Sequence, residues 1–143
     1  MTKKKSIEKK EVVKRELRNL LFEIPEVMDA FKEVFTKWFG PESSDGIYEL
    51  HKEIKEAINK YTDAKQKILD TLCEKLEERG QYKVDGEGLK AIQELQQQTV
   101  NIKTPKIYIL KTDRDASGAK ITAERREVLE PFVEFVDKLP KGK

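Results

Sequence analysis

Apolar residues keep helical spacing through the middle of this chain. Ile47, Ile54, Tyr61 and Ile68 stand seven apart, and Leu50, Ala57 and Ala64 repeat at seven on the neighbouring row. The pattern predicts one uninterrupted amphipathic helix from Asp45 to Gly80, about 34 residues and roughly 50 Å long, with a single narrow apolar stripe on a charged rod. Gly80 is its expected C-cap. Such a stripe needs cover, either from the rest of the chain or from a second copy in a coiled coil.

The flanking segments have their own patterns. Val13, Leu17, Leu20 and Leu21 predict a first helix running from an N-cap at Ser6 to Phe22. Pro25 suits the first turn of a second helix, whose apolar face is Val27, Met28, Phe31, Val34, Phe35, Trp38 and Phe39. Gly40-Pro41 is expected to close that helix, and residues 41–46 to form the loop that folds it back onto the rod as an αα-hairpin.

Beyond Gly80 the periodicity changes. Tyr82 and Val84 mark a short extended piece, and Leu89, Ile92 and Leu95 a helix from about Leu89 to Gln98. Residues 99–111 predict two short strands divided by Pro105. A last helix is predicted over Ala123–Lys138, capped by Thr122, with Val128, Leu129, Phe132, Val136 and Leu139 on one face; Pro131 bends it or marks its true first turn. The predicted fold class is mainly α, a long-helix hairpin or bundle with a small two-stranded C-terminal α+β appendage. In this division residues 1–143 form a single domain: 1–6 a mobile basic arm, 7–80 the helical hairpin, and 81–143 the appendage.

Composition agrees with long solvated helices, for 39% of the 143 residues are charged and 37% apolar. The formal charge is only +2, but it is uneven. Residues 1–15 hold seven lysines and arginines against Glu8 and Glu11, a local +5, and leave the other 128 residues at −3. That arm makes a nucleic-acid partner the alternative to a protein partner. Cys73, the single cysteine, is expected inside the rod near Leu72 and Leu76, and it excludes an intrachain disulfide. No apolar run suits a membrane span or a secretory signal, so a cytoplasmic location is expected.

The sharpest chemical pattern is Asp113-Arg-Asp115-Ala-Ser117-Gly118 followed by Glu124. Counted from Asp113, oxygen-bearing side chains fall at positions one, three, five and twelve and glycine at six, which is the ligand order of a calcium-binding loop. Against it, Lys120 occupies a normally apolar position, the preceding segment reads as a strand, and no second loop exists to pair with it. Asp113, Asp115, Ser117 and Glu124 therefore stand as candidate calcium ligands that are not favoured over a polar turn. His51, the only histidine, lies beside the rod's stripe, and no motif supplies a nucleophile, so no catalytic residue and no cofactor is expected. Trp38, Phe39 and Tyr48, near the tip of the hairpin, are the candidate anchors for a protein partner.

The order of elements resembles a group of small, uncharacterised proteins of tailed bacteriophages and prophages. The likeness spans residues 17–136. It rests on Leu17, Leu20 and Leu21, on Tyr61-x-x-x-Lys65-x-x-Ile68, on Gly80-x-Tyr82-x-Val84-Asp85, on Val100-x-Ile102 and Lys106-Ile107, and on Ile121-Thr122 leading to Leu129-x-Pro131-Phe132-Val133. The basic arm and Trp38-Phe39-Gly40-Pro41 depart from the pattern. The resemblance implies a non-enzymatic phage protein that binds another protein, either as a virion or assembly component or as a factor that diverts a host protein, with self-association into a homodimer also open.

Overall fold

Two prolines set the helical framework of the computed structural model, which describes residues 15–77 and 80–140. Pro25 is the first residue of α1 (Pro25–Thr36) and Pro41 the first of α2 (Pro41–Leu72), positions where a missing N–H forfeits no helical bond. Gly40 precedes α2 with φ of +97°, a conformation that favours glycine. Gly40-Pro41 therefore opens the long helix instead of closing the one before it. The segment expected as a hairpin loop, residues 41–46, is the first turn and a half of α2.

The long helix also stops early. Cys73 is extended, and the chain enters a hairpin of β2 (Glu74–Lys75) and β3 (Tyr82–Lys83), so Gly80 sits in a turn at φ +62° and caps no helix. Close packing against the next helix accounts for this. Helix α3 (Gly86–Gln97) returns along the end of α2 so closely that a Cβ on Gly88 would lie 2.4 Å from Cys73 Sγ. Local preference for helix in the Glu- and Lys-rich stretch yields to that packing.

Three two-stranded sheets complete the described residues. β1 (Glu16–Arg18) pairs antiparallel with β4 (Thr99–Asn101), bringing Leu17 opposite Val100. Here the expected first helix is corrected: of its described part, residues 16–18 are strand and Asn19–Glu23 a 3₁₀ turn. The basic arm and the rest of that predicted helix lie outside the described residues. β5 (Ile107–Leu110) pairs in parallel with β6 (Val133–Val136), connected through α4 (Lys111–Ser117) and α5 (Ala123–Leu129). The long C-terminal helix is thus corrected to a short helix and a strand. Thr122 does cap α5, its hydroxyl accepting from the Arg125 N–H.

Helices dominate, and the apolar cluster is shared. Leu17, Val27, Phe31, Val34, Phe39, Leu50 and Ile54 pack with Ile102, Ile107, Ile109, Leu129, Phe132 and Phe135. A division into a hairpin over 7–80 and an appendage over 81–143 does not follow this packing, because the core draws on both. The stripe of α2 is covered by the chain itself: Leu50, Ile54, Ala57 and Tyr61 are buried, and Ala64 and Ile68 half-buried. A coiled coil has no claim on the buried half.

Candidate functional site

The surface between α1 and α2 forms a mainly apolar concavity. Met28, Phe31, Lys32, Phe35 and Thr36 on α1 face His51, Ile54, Lys55 and Ile58 on α2 across a groove of about 320 Å³. The spacing explains its chemistry. Phe31 and Ile54 reach into the core, while Met28, Phe35 and Ile58, one turn or less away, stay half-buried and form the floor. The His51 ring stacks on Phe35, with centroids 4.4 Å apart and planes 14° from parallel. Lys32 and Lys55 are exposed at the rim, and among the described residues no carboxylate lines the groove.

Of the residues proposed as partner anchors, two are exposed. Trp38 lies in the connector between α1 and α2, and Tyr48 precedes His51 by three and Lys55 by seven on α2, which places it on the groove's side of that helix. Phe39 is corrected: it is 2% exposed and packs against Phe135, ring centroids 6.4 Å apart.

The calcium-loop residues are not gathered into a site. Asp113, Asp115 and Ser117 lie on helix α4, where side chains two residues apart diverge by about 200°. Asp115 pairs with Arg114 at 3.2 Å, and the Ser117 hydroxyl donates to the Arg114 carbonyl at 2.6 Å. Gly118 is the left-handed cap of α4, and Glu124 falls in the first turn of the next helix. Among the described residues no cluster of His, Cys, Asp and Glu has the arrangement of a metal site.

Two carboxylates missed by sequence reasoning tie the elements together. Glu23 accepts from the Tyr61 hydroxyl, from Lys65 Nζ at 2.8 Å and from Gln96 Nε2 at 3.0 Å, joining the 3₁₀ turn to α2 and α3. Partial burial alone would raise its pKa, but the three donors and the Lys65 charge outweigh it and hold it at about 2. Burial, reinforced by this carboxylate, pushes Tyr61 up to about 12. Glu53 accepts from the backbone N–H groups of Lys103 at 2.8 Å and Thr104 at 2.6 Å and from the Thr104 hydroxyl, fixing the turn between β4 and β5 on α2. Its pKa too is lowered, these donors overcoming desolvation. The only advance signal is weak: Tyr61 and Lys65 stand four apart on one face of a helix, whereas Glu23 and Gln96 are remote in sequence.

Both clusters are braces, each donor being spent on a neighbouring element. Comparison with protein-family models, with curated proteins and with solved structures finds no match. No helix among the described residues is long and apolar enough to cross a membrane.

Proposed function

We propose that this chain is a non-enzymatic interaction protein whose α1–α2 groove holds an acidic amphipathic helix of a partner protein. The observation that carries the reading is the groove's composition, an apolar floor under a rim whose charged groups are Lys32 and Lys55. A helix laid into such a groove buries its apolar face, and carboxylates flanking that face meet both lysines. Exposed Trp38 follows the groove residue Thr36 by two and exposed Tyr48 precedes His51 by three, and aromatic side chains of this kind dominate binding energy at interfaces. The likeness to tailed-phage proteins makes the partner either a virion component or a host protein, met in the virion or in the host cytoplasm.

Trp38 is the single tryptophan, so its fluorescence reports on this end of the groove. Titration with a synthetic amphipathic helix of leucine and glutamate is expected to change that emission and to shift the NMR signals of Met28, Phe35 and Ile58. The double reversal Lys32→Glu with Lys55→Glu should weaken binding roughly tenfold, about 1.4 kcal/mol. Equal affinity for a leucine–lysine helix, or shifts scattered away from the groove, would refute the reading.

A further inference from the structure

His51, the chain's only histidine, belongs to the α1–α2 groove and to neither carboxylate brace. The residue is exposed, yet its ring is held on Phe35, with centroids 4.4 Å apart and planes 14° from parallel. Lys55 follows His51 by four on α2, and Lys32 precedes Phe35 by three on α1. Residues so spaced share a helix face, one turn apart. The stack thus bridges the two walls of the groove, with a lysine beside it on each.

Among the described residues, no counter-charge faces the ring. On α2 the positions three and four away from His51 are Ile47, Tyr48, Ile54 and Lys55. On α1, the element packed across the groove, Lys32 is the charged residue of the lining. Glu33 of α1 is spent elsewhere, accepting from the Lys120 N–H at 2.7 Å, and Glu26 and Asp29 lie outside the lining. An imidazole ordinarily takes up a proton as pH falls through ~6.5, a range in which lysines and carboxylates keep their charge. With that proton the lining holds three cations, His51, Lys32 and Lys55. The charged ring also lies on an aromatic face, an arrangement that favours a cation and keeps it in the groove.

We propose that His51 makes the groove a pH-gated site, which takes its acidic amphipathic helix more tightly below about pH 6.5 than above it. The inference rests on the reading of the groove as the seat of such a helix. Its sign follows from linkage. A partner carboxylate beside the ring favours the protonated form, so proton and helix each strengthen the other's binding. One added unit charge at a solvated rim, about 5–8 Å from a carboxylate, corresponds to a roughly three- to tenfold gain in affinity. Glu23, with a pKa of about 2, stays ionised throughout this range, so that brace holds while the gate operates.

The test titrates the full chain with the leucine–glutamate helix at about pH 5.5, 6.5 and 8, where the glutamates remain charged. Binding is read from Trp38 emission and from the signals of Met28, Phe35 and Ile58. The dissociation constant should fall roughly three- to tenfold from the highest pH to the lowest, and a leucine–glutamine helix should show no such gain. His51→Gln should keep the weaker affinity at every pH and His51→Lys the tighter one, so the two variants flatten the profile from opposite sides. Circular dichroism confirms that each is folded, as the exposed position leads one to expect. Near pH ~6.5 the acidic helix should also move the His51 ring signals toward their protonated position. Equal affinity at the extremes of pH, with the groove signals still shifting, would overturn the gate and leave the groove reading standing. A gain that survives in His51→Gln, or that extends equally to the leucine–glutamine helix, would do the same. No binding of the acidic helix at any pH would overturn both.

Discussion

At the scale of residues, Glu23 makes stability depend on acid. Its carboxyl has a pKa of about 2 in the folded chain against an ordinary 4.5, so its contribution is complete above 4.5 and is lost as pH falls through 2. Acid titration monitored by circular dichroism should show stability declining within that window, and Glu23→Gln should flatten the decline. At neutral pH the same variant should cost about 1 kcal/mol or less, because the side chain is about one-third exposed and solvent screens the pair. Gly88→Ala should cost more, about 1–3 kcal/mol by thermal melting, since its methyl would meet Cys73 Sγ and the Leu72 carbonyl. Neither residue stood out in the sequence. A glutamate among many carries no mark of the donors that fold onto it, and a glycine's packing role is invisible until the partner helix is in place.

At the scale of elements, periodicity identified α1, α2 and α3 well and their ends poorly. The stripe from Leu50 to Tyr61 is buried, whereas Leu72 and Leu76, which look like its continuation, are largely exposed. The two halves should respond differently to truncation: Ile54→Ala is expected to cost about 2–4 kcal/mol and Ile68→Ala about 1, measured by urea unfolding. Equal costs would contradict the burial described for α2. At the C-terminus, Val128, Leu129, Phe132 and Val136 suit a helical face, but Val133, Glu134, Phe135 and Val136 equally suit a strand. Pro131 decides between them. Its ring would collide with the carbonyl of Glu127 in a continued helix, so α5 ends at Leu129 and the alternating reading prevails. The calcium-loop pattern, not favoured from the sequence, has a related origin: Asp, Ser and Gly there serve a short helix and its left-handed cap, which require the same residue types as a metal-binding turn.

At the scale of the molecule, one apolar cluster joins Leu17 to Phe135. Leu17→Ala and Phe132→Ala should therefore each lower a single cooperative unfolding transition, by about 2–5 kcal/mol, with calorimetry and circular dichroism reporting the same midpoint. A second transition that responds to only one of them would break the shared core into separately folding parts. The mainly helical class was legible because long apolar periods survive any topology. The partnership of β1 with β4 was not, since three residues carry no recognisable strand pattern and pairing across the length of a chain leaves no local trace. That partnership also has a consequence for biosynthesis. Leu17 leaves the ribosome about 80 residues before Val100, so at ~5–20 residues per second its neighbour arrives roughly 4–16 s later. Until then the nascent N-terminal segment has no register to adopt, and closing so long a span makes this junction a late step of assembly.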